Sequence, residues 1–338
     1  MGSLEVVAFD DAHVAGAAAL VADEHRAVGV ERPGFEPALA DRGVARAAID
    51  AGRRAGPGVA ALAGRELVGF VVSSLDPRGD APAARAAGAW PSPASLGGAR
   101  RARVGLAHHG AAVAERRAAY RAMYTALAGR FVALGCFRHQ VGVPVGSGDT
   151  VRAWFELGFG VDQVHGVRST RPLGVAVPDV DVRPARPGAL GAVAGLAVDL
   201  QVFHARSPML EPVFVSPAAA RASLEWTLRD DRSAIWVAVE GGAPVGFMAF
   251  APDARASRGV RLGIAAVAEP ARSRGLGTSI LDAGLRWARG AGYEVCLVGW
   301  TSANPDGDRF WRGRGFAPIY LTLSRRIDDR IAGATARR

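Results

Sequence analysis

Arg272, Ser273, Arg274, Gly275, Leu276, Gly277 and Thr278 stand where a run of apolar, β-prone residues, Val260 to Val267, gives way to a helical repeat of Ile280, Leu281, Leu285 and Ala288. A loop of this make-up suits a phosphate group. Glycines let the backbone turn and approach a ligand closely, the first N–H groups of a helix have no internal partner, and two guanidinium groups add positive charge. A dinucleotide fingerprint would need a third glycine and a place early in the chain, and a Walker A loop needs a lysine. The third glycine is missing here, and all 41 basic side chains of the 338-residue chain are arginine.

This loop resembles motif A of the GCN5-related N-acetyltransferase (GNAT) superfamily: Gln or Arg, two residues, Gly, one residue, then Gly or Ala, matched by Arg272, Gly275 and Gly277. Downstream, Gly292 and Tyr293, an apolar run from Val295 to Val298, Asn304, and Arg309, Phe310, Trp311, Arg312, Gly313, Arg314, Gly315 and Phe316 are similar to the family's closing signature. The resemblance implies that Arg272 to Thr278 hold the pyrophosphate of acetyl-CoA. It also implies that the strand end at Val267 contacts the pantetheine arm and polarises the thioester, and that Asn304 and Trp311 border the coenzyme. Asn304 also suits a helix N-cap, and Trp311 suits a packed aromatic. Trp311 stands where the family commonly has a thiolate-protonating tyrosine, and indole is no acid; Tyr320 is one alternative. In this family the segment between the first two helices covers the acceptor, which makes Glu211 and His204 the substrate-side candidates. A general base is not assigned, and no His, Cys or carboxylate spacing points to a metal.

The elements that carry these residues occur twice. Pro33-Gly34-Phe35-Glu36-Pro37 returns as Pro208-Met209-Leu210-Glu211-Pro212, Val68-Gly69-Phe70 as Val245-Gly246-Phe247, and Arg152-Ala153-Trp154 with Gly158-Phe159 as Arg309-Phe310-Trp311 with Gly315-Phe316. A duplicated unit of roughly 160 residues is a domain rather than a solenoid repeat. The expectation is an α/β (α+β) chain of two tandem acyltransferase-like lobes, 1–172 and 178–330, each a mixed, mostly antiparallel sheet flanked by helices. Glycine-containing hairpins are expected at Gly64-Arg65 and Gly241-Gly242, and an irregular insertion between Asp76 and Arg101.

The copies differ at the loop. Aligning Gly292 with Gly135, Trp311 with Trp154 and Gly315 with Gly158 sets Glu115, Arg116, Arg117, Ala118, Ala119 and Tyr120 against Arg272 to Gly277. Both glycines are gone and a carboxylate replaces the first arginine. The first lobe is therefore expected to bind no coenzyme.

Hydrophobic residues make up 49% of the chain, without a run long enough for a membrane span. Early Asp10 and Asp11 do not suit a signal peptide. Cys136 and Cys296 alone offer no disulfide framework, so a cytoplasmic protein is expected. The net charge of +9 comes from arginines interspersed with acids across both halves, which does not suit a nucleic-acid face. The expected activity is acetyl transfer from acetyl-CoA to a primary amine of a small molecule. The alternative is a coenzyme A-binding sensor or scaffold without turnover.

Overall fold

The computed structural model describes residues 4–31, 38–76, 100–174, 178, 180–211, 215–253, 256 and 258–335. Most of the expected insertion, 77–99, and the Pro33–Pro37 half of the first repeated string lie outside them, as does Pro212. Two compact units emerge, one of 1–78, 99–164 and 319–338, the other holding 165–318.

In the first unit, β1 (Leu4–Ala8) is followed by α1 (Val14–Glu31), α2 (Arg42–Gly52), β2 (Gly58–Ala63), β3 (Glu66–Val72), β4 (Ser74–Leu75), β5 (Arg101–Val104) and β6 (His109–Ala111). Then come α3 (Arg116–Ala133), β7 (Arg138–Pro144), α4 (Gly148–Phe155) and β8 (Gly160–Ser169), whose second half belongs to the other unit. The core gathers Tyr120, Met123, Leu127 and Phe131 of α3 with Val59, Val71, Val141 and Trp154.

The second unit runs through β9 (Asp181–Pro184), α5 (Leu190–His204), α6 (Pro217–Arg229), β10 (Ala234–Glu240), β11 (Ala243–Pro252), β12 (Gly259–Val267), α7 (Leu276–Gly290), β13 (Val295–Thr301) and α8 (Pro305–Gly313). The chain closes with β14 (Ala317–Arg326) and α9 (Ile331–Thr335). On one face of the sheet, Leu190, Val193, Ala194 and Ala197 of α5 and Leu224 of α6 pack on Phe247, Ala249 and Ile264. On the other, α7 buries Ile280, Leu281, Leu285 and Ala288, the residues its helical spacing singles out.

Both expected hairpins form. β2 pairs with β3 and β10 with β11, antiparallel, and Gly241 and Gly242 have φ of +56° and +81°, the two positive values a two-residue type I′ turn needs. The duplication is visible at helix ends. In α4 the N–H of Phe159 donates to Trp154 O and that of Gly158 (φ +81°) to Phe155 O; in α8 Phe316 donates to Trp311 O and Gly315 (φ +82°) to Arg312 O. These are the paired bonds of one Schellman cap, repeated.

The compact units do not follow the linear repeat, because each repeat's last strand serves the other unit. β14 pairs antiparallel with β7 over seven positions, from Tyr320 opposite Pro144 to Arg326 opposite Arg138. Reciprocally, the second half of β8 lies beside β13: the N–H of Thr170 donates to Glu294 O at 2.9 Å, and its hydroxyl to Tyr293 O at 2.7 Å. A fragment ending at residue 172 strips β7 of that ladder. It should show no cooperative thermal transition by circular dichroism where the full chain does, and a fragment melting near the full chain would show that β14 is dispensable.

Candidate functional site

In the second unit β12 and β13 run parallel and pair at four positions, from Gly259 opposite Val295 to Leu262 opposite Val298. There the pairing stops, although β12 continues to Val267 and β13 to Thr301. The cause lies on the far edge of β12. Opposite β11, Leu262 pairs with Phe250 and Ile264 with Ala249, so Gly263 is the extra residue of a β-bulge, which bends and twists the strand that carries it. Gly263 and Gly299, the first residues past the last shared pair, are both exposed, whereas Leu262, Val298 and Trp300 are buried. A wedge thus opens between the strands, lined by unpaired backbone. The N–H of Ala268 donates to Val245 O on β11 at 2.8 Å, so strand alternation turns that of Val267 toward the wedge.

The loop after β12 leads into the N-terminus of α7. Gly275, its N-cap, has φ +83°, and a Cβ there would sit 2.5 Å from the ring of Pro178. Ser273 is also left-handed at +61° and is exposed. The N–H groups of Gly275, Leu276 and Gly277 donate to no partner among the described residues, while those of Thr278 and Ser279 turn back to Gly275 O. Three free amides at a positive helix end, with glycine at two of the three positions, fit an anionic diphosphate. Leu276 and Thr278 are buried and anchor the turn.

The arginines are engaged elsewhere. Nε of Arg272 donates to Val267 O at 3.0 Å, and its guanidinium lies 4.5 Å from the centroid of the Phe203 ring on α5. Arg274 forks onto Glu240, with contacts of 3.0 and 2.8 Å. Arg272 therefore holds the end of β12 in place, and the donors left without a partner among the described residues at the helix entrance are the backbone N–H groups. Composition alone could not foresee this, since Phe203 and Glu240 are remote in sequence.

On α8, Asn304 is the N-cap, its Oδ1 accepting from Gly307 N at 3.0 Å. Trp311 is buried between Phe310 (4.8 Å between ring centroids) and Phe316 (5.5 Å). Phe310, quoted in the closing signature but not named as a site residue there, borders the cradle: its ring would lie 3.3 Å from a Cβ on Gly277. Tyr320 sits on β14 opposite Pro144, in the first unit. His204 ends α5 and Glu211 follows in the connection to α6, where the N–H of Glu211 donates to His204 O at 3.0 Å. Burial lowers the imidazole pKa of His204, and the Glu211 carboxylate opposes that shift. Glu269 is taken by Arg206 at 3.2 Å. Among the described residues no group of three or more His, Cys, Asp or Glu could hold a metal ion, and no helix is long and apolar enough to cross a membrane.

The corresponding place in the first unit is filled. Tyr120, the counterpart of Gly277, is fully buried, and its hydroxyl lies 2.7 Å from Nδ1 of His109. Nε2 of that ring is 2.8 Å from Gly142 O, so Nε2 carries the hydrogen and Nδ1 accepts from the tyrosine. The Trp154 ring closes the stack 5.1 Å from Tyr120. Where Phe310 stands in the second unit the first has Ala153, so large and small side chains have traded places. No glycine lies at the start of α3, and Glu115 stands at its N-cap.

Two outcomes follow. Converting the second unit to the first unit's pair, Gly277→Tyr with Phe310→Ala, should leave a folded protein whose calorimetric titration with acetyl-CoA shows affinity lower by at least about 100-fold. The buried histidines of the first unit should also make the protein acid-sensitive. Burial holds His139, bonded to Tyr124 Oη at 2.8 Å, down to about 4. Between roughly 6.5 and that value the unfolded chain takes up a proton that the native ring refuses, so stability is full above about 6.5 and falls on acidification, by about 2 kcal/mol at pH 5 from this group. Urea midpoints at pH 7.5 and 5 check this, and His139→Gln should flatten the difference.

Residues 201–316 match the model of the Acetyltransferase (GNAT) family. Among solved structures, a tandem GNAT protein from the clavulanic acid biosynthesis pathway matches at 16% identity and a TM-score of 0.50, covering 96% of this chain and 98% of that one. A GCN5-related N-acetyltransferase from Sphaerobacter thermophilus matches at 15% identity and 0.55, covering 96% and 95%. A GNAT-family acetyltransferase from Colwellia psychrerythraea matches at 10% and 0.51, covering 96% and 100%. At these identities the likeness is one of fold, and it extends over both repeats. No curated protein matches the chain.

Proposed function

We propose that this chain transfers an acetyl group from acetyl-CoA to the primary amine of a small molecule, using one coenzyme site in the second unit; the match of residues 201–316 to the GNAT family model supports the reading. The observation that carries the proposal is the coincidence of the bulge-opened wedge with the free amides of Gly275, Leu276 and Gly277 at its end. When bound, acetyl-CoA supplies an activated acyl carbonyl and a thiolate leaving group. Gly275 to Gly277 hold its diphosphate through backbone N–H groups, with Ser273 and Thr278 flanking. Val267, its carbonyl fixed by Arg272, offers its N–H to polarise the thioester oxygen. Asn304 starts α8 where that helix can border the coenzyme arm, and Phe310 and Trp311 form its apolar wall. His204 and Glu211, in the connection between α5 and α6, border the acceptor.

A second reading, coenzyme binding without turnover, draws on Trp311. Its ring is locked between two phenylalanines where a proton donor to the leaving thiolate would stand, and indole cannot serve as that donor. Calorimetric titration with acetyl-CoA, followed by thiol release with a panel of primary amines, separates the readings. The expected result is one site per chain, retained in Ala118→Val and lost in Gly275→Val, with thiol release above background for at least one amine. Binding with no release would favour the sensor, and no binding would remove both.

A further inference from the structure

On the sheet face shared by α5 and α6, β12 and β13 carry no carboxylate, cysteine or histidine: the residues of β13 there are Val295, Leu297, Gly299 and Thr301. A titratable group reaches that face from the neighbouring strand. β8 runs antiparallel along β13, and five residues before the Thr170–Glu294 bond it brings His165 against Gly299. A Cβ on Gly299 would lie 3.0 Å from Nδ1 and 3.3 Å from Cε1 of the His165 ring. The next residue faces the other way, since a Cβ on Gly166 would meet the Trp300 indole at 2.8 Å, which fixes His165 on the α5–α6 side.

Gly299 is the first residue of β13 beyond the last pair shared with β12, and it is exposed. The imidazole therefore stands at the point where the strands part, where Gly263 and Gly299 are both exposed. Resting on the acetyltransferase reading above, we propose that His165 is the proton acceptor for the incoming amine. Its imidazole takes one proton from the substrate ammonium. The neutral nitrogen then forms a bond to the acyl carbon, the carbon–sulfur bond breaks, and the electron pair leaves with sulfur. The nitrogen's second proton passes to the thiolate, and His165 returns its own to solvent, so the sum is amide, thiol and one released proton. This also assigns a chemical role to the strand exchange: the first repeat donates a strand that carries the base.

The test begins with imidazole resonances in the full-length protein, His165 being assigned by the signals lost in His165→Gln. Addition of acetyl-CoA should shift them. Binding seen by calorimetry without such a shift overturns the proposal and leaves the coenzyme site standing, whereas no binding overturns the acetyltransferase reading itself. With an amine that turns over, His165→Ala should lower kcat by about 100-fold or more while acetyl-CoA affinity stays within about twofold, and added imidazole should restore part of the rate. Gly299→Ala, which crowds the ring without removing it, should lower kcat in the same direction at unchanged coenzyme affinity. Turnover in His165→Ala within about threefold of the parent, or a loss that imidazole does not relieve, overturns the assignment.

Discussion

Two parallel strands that share four rungs and then separate impose the main constraint on the second unit. Backbone groups past Leu262 and Val298 lose their sheet partners on one side, and an unpaired polar group away from water is costly. The bulge at Gly263 causes the parting, and the pairing of β12 with β11 continues beyond it to Val267. One edge of β12 is thus satisfied while the other is left without a strand partner. The Val267 carbonyl is an exception that shows the pressure, since Arg272 crosses the loop to bond it and rests on Phe203. The helix end that follows carries a second set of free donors, and both sets lie in one short stretch of chain, from the end of β12 to the first turn of α7.

The first unit shows the same scaffold with the opening closed. β3 corresponds to β11 and α3 to α7, and the tryptophans at the ends of α4 and α8 keep their Schellman caps. What differs is a redistribution of volume. Tyr120 with Ala153 fills the space, whereas Gly277 with Phe310 leaves backbone exposed at the helix end. The tyrosine hydroxyl is satisfied by His109, which is in turn satisfied by the Gly142 carbonyl, so the Tyr120–His109 pair is hydrogen-bonded at both rings. A buried, paired polar chain of this kind specifies one packing.

Much was readable from the residues alone. The period of α7 is carried by Ile280, Leu281, Leu285 and Ala288, the hairpins by their glycines, and the duplication by the recurring Trp and Gly-Phe positions. These are local signals, set by backbone freedom and by which residues tolerate burial. The αL conformation of Gly275 follows from the same logic. Gly263 and Gly299 carried a weaker signal, a glycine inside an apolar strand, which marks a bulge or a close approach without saying to what.

Sequence by itself determined that the chain holds two related units and that only the second has a glycine-rich helix entrance, because turn geometry and side-chain volume are properties of individual residues. Tertiary structure decided which side chains meet there: Arg272 on Phe203 and Val267, Arg274 on Glu240, Phe310 over Gly277, and His165 against Gly299. It also decided that β14 completes the first unit and the second half of β8 the second. A strand's own pattern records which face it buries but not which neighbour supplies its hydrogen bonds, because every strand edge presents the same backbone groups.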